Sequence, residues 1–387
     1  MSFTVTVRGQ RWREHQESVW GAISRACGTT PVPVIKGNGY GLGADLLTRQ
    51  AVAHHADTVA VGTVWEIDTV AHASNHDIVV LQPFDPRDKA AAAEWWRLGS
   101  RLHSGRVIRT IASTEALRAL TAGPGSVRVI IEARSSMQRF GLEESEILEL
   151  LADLTIREGL ARARILIEGL SLHLPLVQPP GKRKGRTSLG TPRVLEVLRW
   201  AAMWHAQTDV WAGHNSPARR LWVSHLNDDE AALVVKSQPD IALRMRVGTR
   251  LWLGDRGALQ ANGTVLAVHS VKESTPVGYR QRTGPSDGSL VVIGGGTSHG
   301  IALSAPTAAT NLRQRIASIG TGVIEAAGRS MSPFTLDGKQ RWFAEPPHQQ
   351  VSMVWLPWGC IVPSVGDPVP AEVRYTTSRF DAVIFTD

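Results

Sequence analysis

Cysteine is nearly absent: Cys27 and Cys360 are the only two in 387 residues, and they lie far apart in the chain. Two such thiols make no disulfide framework, which leads to the expectation of a reduced, cytoplasmic protein. No stretch reaches the roughly 18 to 20 apolar residues that a membrane helix requires, so no membrane partner is expected. The opening residues, MSFTVTVRGQRWREH, lack an apolar segment followed by small residues, which argues against a secretory leader. There is no internal repeat and no low-complexity tract. Tyrosine is scarce, with only Tyr40, Tyr279 and Tyr375. No helix-turn-helix, zinc-ligand or aromatic RNA-binding pattern accompanies the net charge of +7, so neither nucleic acid nor a metal is expected.

What is present describes a soluble globular chain: 43% of residues are hydrophobic and 20% charged, too apolar for disorder. The densest basic run is Lys182, Arg183, Lys184 and Arg186, among Gly, Pro and Ser, and it reads as a solvated loop. The basic balance suits an anionic substrate better than a nucleic acid.

The length exceeds one compact core and predicts two domains. Short β-branched runs recur at 31–36, 57–62, 77–82, 107–112, 127–133, 165–173, 221–226 and 242–248. Amphipathic stretches such as LLTRQAVAHHA and TPRVLEVLRWAAMWHA separate them. Apolar runs of this length suit strands buried on both faces of a parallel sheet. Eight of them, alternating with helices, predict an α/β fold, a (β/α)8 TIM-type barrel over residues 8–254. The connections at 174–191 and 207–220 read as expanded. Beyond residue 255 the helical alternation stops, and strands joined by Gly, Pro and Asp turns predict a mostly β domain over 255–387. The N-terminal strand 1–7 is expected to pack on that second domain.

The segment VPVIKGNGYGLG, residues 32–43, carries the sharpest chemistry. A buried strand ends at Lys36 and a glycine-rich turn follows. In a barrel the C-terminal ends of strands carry the active-site groups. A lysine there loses its proton more readily through desolvation, as Schiff-base chemistry requires. A lysine snorkelling from a strand end is the structural alternative.

The same residues resemble the alanine-racemase signature, in which a lysine is followed by x-Asn-x-Tyr-Gly-x-Gly. Lys36, Asn38, Tyr40, Gly41 and Gly43 all match. The resemblance implies pyridoxal 5'-phosphate (PLP) held by Lys36 as a Schiff base, Lys36 as one of two catalytic bases, and Tyr40 on the cofactor phosphate. MQRFGL at 137–142 is similar to a second family element. It implies Arg139 on the cofactor's phenolic oxygen and Met137 beside the substrate carboxylate. Glu132 occupies the place where many relatives carry a carbamylated lysine, and as a carboxylate it keeps the sign of charge expected to support Arg139. EGLSLHLPL places His173 where the family has the histidine packed on the pyridine ring. ALRMRVGTRLWLG places Arg246 at the pyridine nitrogen, with Gly248 and Thr249 offering N–H groups to the phosphate. Ser224 is the phosphate serine the resemblance implies, with Ser216 as a rival.

The second domain departs from the family pattern. The catalytic tyrosine of the family falls at Gly295 or Gly296, inside IGGGTSHG. His299 is the nearest substitute for it, with His348 as another candidate. The resemblance therefore implies a PLP-dependent racemase or epimerase of alanine or a similar small amino acid. It also implies a homodimer with an active site shared between subunits. Two other readings stay open: a PLP enzyme with a different reaction or a larger amino substrate, and a non-catalytic PLP-binding protein.

Overall fold

The computed structural model describes residues 2–99, 104–123, 125–176, 190–209, 216–284, 286–303 and 330–387. The basic run Lys182–Arg186 lies outside the described residues. Contacts divide the chain into two compact units. One comprises His15–Gly39 and Ala44–Gly254; the other comprises Met1–Glu14, Tyr40–Gly43 and Asp255–Asp387.

The first unit is the predicted barrel. After an initial strand β1 (Phe3–Arg8), which belongs to the second unit, come eight parallel strands. They are β2 (Val32–Pro33), β3 (Thr58–Val61), β4 (Asp77–Phe84), β5 (Val107–Ile111), β6 (Val127–Glu132), β7 (Ile165–His173), β8 (Arg220–Ser224) and β9 (Ala242–Val247). Each pairs with the next in sequence from β3 to β9, β9 pairs with β2, and a single parallel bridge between Val34 and Ala60 closes the ring. Helices such as Ala44–Ala53, Pro192–Asp209 and Asp228–Ser237 follow strands along the chain. Val32, Val34, Ala60, Val79, Ile108, Ile130 and Trp222 form one buried cluster inside the ring. These side chains explain why the strands read as apolar runs: both faces are covered.

Charge sits at the strand starts. Glu168 accepts from Arg128 at 2.7 Å and from Arg220 at 2.6 Å, and Arg128 also reaches Asp77 at 2.7 Å. Arg244 pairs with Asp57. This leaves the other end of the strands for the groups that carry chemistry.

The second unit is mostly β. Its strands are β1, β10 (Leu259–Val271), β11 (Pro276–Val277), β12 (Arg282–Thr283), β13 (Gly288–Gly294), β14 (Met331–Leu336), β15 (Lys339–Trp342), β16 (Val351–Pro357), β17 (Pro368–Ala371) and β18 (Ala382–Thr386). The long β10 is the hub: it pairs antiparallel with β1, β13 and β17. β1 in turn runs parallel to β18, and β13 pairs with β16. Phe3, Val291, Ile293, Phe334, Val354 and Leu356 lie in its core. Among the described residues no helix is long and apolar enough to cross a membrane.

Candidate active site

Lys36 lies three residues beyond the end of β2, at the start of a turn that keeps it at the barrel's C-terminal end. Gly39 makes that turn possible. Its φ is +61°, and a Cβ there would lie 2.6 Å from the Ala44 amide nitrogen, so only glycine fits. Tyr40, at φ 56°, is buried and groups with the second unit. Glu66 fastens the turn from the next loop. Its carboxylate accepts from Gly37 N–H at 3.2 Å and from Gly62 N–H at 2.7 Å. Gly62 lies against the Lys36 side chain. Desolvation lowers the Lys36 pKa, the Arg139 charge lowers it further, Glu66 raises it and Arg246 lowers it. The balance favours the neutral amine more than at an ordinary surface lysine.

Parallel register brings the remaining groups into rows. Glu132 on β6 lies beside Ser171 on β7; His173 on β7 lies beside Ser224 on β8; Ser224 lies beside Arg246 on β9. Each is at or near the C-terminal end of its strand. Ser171 donates its hydroxyl to Glu132. Arg246 Nη1 donates to Ser171 Oγ at 2.9 Å, and its Nη2 donates to the Leu172 carbonyl at 2.9 Å. Arg246 is 6% exposed, and its Nε is buried without a hydrogen-bond partner. Of the neighbouring arginines, Arg244, whose Nε is also buried without a partner, pairs with Asp57, and Arg250 pairs with Asp228.

His173 packs edge-on to His225, with ring centroids 4.9 Å apart, and its Nδ1 lies 2.9 Å from Ser224 Oγ. Burial, then the charges of Arg246 and Arg139, pushes its pKa down to about 2. Burial and the same surroundings push His225 down to about 4. Both imidazoles are neutral at ordinary pH, so each can accept as well as donate a hydrogen bond.

Arg139 is exposed, with its guanidinium 5.1 Å from the centre of the Phe140 ring. Its charge is felt at Lys36, His173 and Arg246. Glu132 is tied to Ser171 and, through it, to Arg246, whereas the sequence suggested Arg139 as its partner. Met137 is exposed on the same loop. Ser224 is buried beside His173, while Ser216 is exposed. Gly248 caps the short helix Thr249–Leu253, and Thr249 is exposed. In place of a tyrosine, Trp252 is fully buried and donates to the Val34 carbonyl at 2.8 Å, beneath the Lys36 strand.

In the second unit, a Cβ on Gly296 would lie 2.2 Å from the His348 carbonyl oxygen, so no larger residue fits there. His299 is buried. Its Nδ1 accepts from Gly296 N–H at 3.2 Å, its Nε2 lies 3.3 Å from Asp381, and its ring packs on Phe3. Both ring nitrogens are thus engaged within the unit. His348 lies on the adjoining loop, with Nε2 2.6 Å from the buried Glu345 carboxylate and the Tyr279 ring tilted against it, centroids 4.5 Å apart.

Glu66, Ser171 and His225 were not singled out by motif. Ser171 had a signal: it lies two residues before His173, on the same face of a strand. His225 follows Ser224 directly. Glu66 reaches Lys36 from a different loop, and nothing in its local sequence marks that.

No curated protein sequence matches the chain. Among solved structures, alanine racemase from E. faecalis is 15% identical with a TM-score of 0.64, covering 100% of this chain and 98% of that one. Alanine racemase from Bartonella henselae, solved with covalently bound pyridoxal phosphate, is 15% identical with a TM-score of 0.62, and both chains are covered fully, at 100%. Histidine racemase from Leuconostoc mesenteroides subsp. sake is 16% identical with a TM-score of 0.60, covering 100% of this chain and 98% of that one. These likenesses establish a shared fold. Residues 17–231, more than half of the chain, match the family described as alanine racemase, N-terminal domain. The chain belongs to the alanine racemase family.

Proposed function

We propose that the chain is a PLP-dependent racemase or epimerase acting on alanine or a similar small amino acid. The observation that carries this reading is the orphaned Nε of buried Arg246, in one electrostatic cluster with Lys36, Arg139 and His173. A buried N–H without an acceptor is costly, and a ligand that brings an acceptor relieves it. The pyridine nitrogen of PLP is such an acceptor. A lysine with a lowered pKa on the same barrel end suits the cofactor's aldehyde, so the residues present fit the group.

When bound, PLP supplies an electron sink that acidifies the Cα–H of an amino acid joined to it. Lys36 would hold the cofactor and, as a neutral amine, take a proton at Cα on one face. Arg246 keeps its own proton and so leaves the pyridine nitrogen without one, which limits electron withdrawal and favours return of the proton to Cα. Neutral His173 would pack on the ring, while Tyr40, Ser224, Gly248 and Thr249 would bind the phosphate. Arg139 would meet the phenolic oxygen, and Met137 and Arg139 the substrate. His299 of a partner copy in a homodimer would serve the second face, which requires its contact with Asp381 to open. His348, backed by Glu345, is the rival on the neighbouring loop. The product, a D-amino acid, suits cell-wall assembly in the cytoplasm.

The test is a panel of amino acids offered to PLP-loaded protein in deuterated water, with chiral analysis of the products. Inversion of a small amino acid with deuterium at Cα is expected. Exchange of one enantiomer alone would favour a one-base PLP enzyme with another reaction or a larger substrate, as the altered loop at His348 also would. No exchange with any amino acid would leave a non-catalytic PLP-binding protein.

A further inference from the structure

Arg246 lies at the end of a chain of three buried polar groups, all within the barrel unit. Glu132 and Ser171 are buried, as Arg246 is. The direction of each hydrogen bond follows from the donors available. An ionised carboxylate only accepts, so the Ser171 hydroxyl must spend its single proton on Glu132. That leaves the Ser171 oxygen with lone pairs alone, and Arg246 Nη1 donates to them at 2.9 Å. The Leu172 carbonyl takes Nη2. Two of the three guanidinium nitrogens are then fixed, and Nε is the one left over. Glu132 is also the carboxylate whose charge offsets the desolvation of Arg246. By contrast, Arg139 is exposed on its loop.

We propose that Glu132 and Ser171 are the positioning pair for Arg246. The carboxylate sets the polarity of the hydroxyl, the hydroxyl sets the roll of the guanidinium, and Nε is thereby held free for the acceptor a ligand brings. This rests on the PLP reading above, and it assigns Glu132 to the pyridine end of the cofactor rather than to Arg139. Ser171→Ala removes the accepting oxygen and leaves Nη1 without its partner. Glu132→Gln removes the countercharge, and its amide can donate to Ser171 and reverse the chain. Because all three groups act in series, the two substitutions should not add.

The experiment titrates apo protein with PLP and records both the dissociation constant and the absorption band of the bound cofactor across pH. Wild type, Ser171→Ala, Glu132→Gln and the double variant are compared with Ile130→Val, an apolar control in the buried barrel core that removes none of these hydrogen bonds. The loss of one charge-assisted hydrogen bond predicts about a tenfold to hundredfold weaker dissociation constant in each single variant. The double variant should be no weaker than the worse single one. The band and its pH dependence should move in both single variants and stay in place in Ile130→Val, even where that control lowers the melting temperature. If Glu132→Gln does not fold, Ser171→Ala carries the test alone. Wild-type affinity and spectrum in Ser171→Ala, or effects that add in the double variant, would overturn the positioning pair while leaving PLP binding intact. Failure of the wild-type protein to load PLP would overturn both readings, and that failure is visible without any variant.

Discussion

A guanidinium buried among apolar strands is stable only where its charge is offset and its N–H groups find acceptors. Arg246 meets it at its two Nη nitrogens, through Ser171 and Leu172, and by the charge of Glu132, leaving Nε unpaired, whereas Arg244 and Arg250, two and four residues away, pair directly with Asp57 and Asp228. The spacing of the three arginines could not separate them, because their partners come from distant parts of the chain. Lys36, His173 and Arg246 were singled out by the family resemblance, and the structure places each at or near the C-terminal end of a barrel strand. The partner of Glu132 was not, because register between β6 and β7 brings Ser171 beside it. The same scale holds the question of the second proton-transfer group. His299 has both ring nitrogens engaged, whereas His348 is hydrogen-bonded at one nitrogen to a buried carboxylate. Loss of a proton-transfer group costs about 10² to 10⁴ in rate. If His299 serves, His299→Ala should suppress exchange of one enantiomer in deuterated water by that amount and His348→Ala should not. The opposite pattern would transfer the role to His348, and wild-type exchange in both variants would remove histidine from the second face.

Elements were readable where their physics is local. Barrel strands carry branched apolar runs because they are covered on both faces, and all eight were found from those runs. In the second unit the strand signal is weaker: β17, PVPA, contains two prolines that cannot donate to a ladder. β14 likewise contains Pro333. The turn after β2 is the element on which the site depends most. Gly39 is left-handed and tightly packed on Ala44, so Gly39→Ala combines backbone strain with a steric clash. We expect it to cost about 1–3 kcal/mol, read as a lower urea midpoint at unchanged slope, with weaker PLP loading. An unaltered midpoint and full loading would show that the turn tolerates a side chain and does not set the position of Lys36.

For the whole molecule, half-buried histidines with lowered pKa bear on stability in acid. Burial lowers the pKa of His54 and His76 and holds His225 at about 4 and His173 at about 2. In the unfolded chain each histidine binds a proton near about 6.5. Between that value and the folded pKa the unfolded state holds more protons, so stability is present above about pH 6.5 and is lost as pH falls. The melting temperature should therefore drop between pH 7 and pH 5, before carboxylates with lowered pKa such as Asp57 and Asp85 begin to contribute. His225→Asn should flatten that drop; an equally steep drop in the variant would contradict the assignment. The central claim is that the barrel's C-terminal end holds PLP on Lys36, and one measurement addresses it directly. PLP-loaded protein is reduced with borohydride, digested and examined by peptide mass spectrometry. The account predicts a pyridoxyl group on the peptide containing Lys36 and its absence from Lys36→Ala; a pyridoxyl group on another lysine, or none after loading, would contradict it.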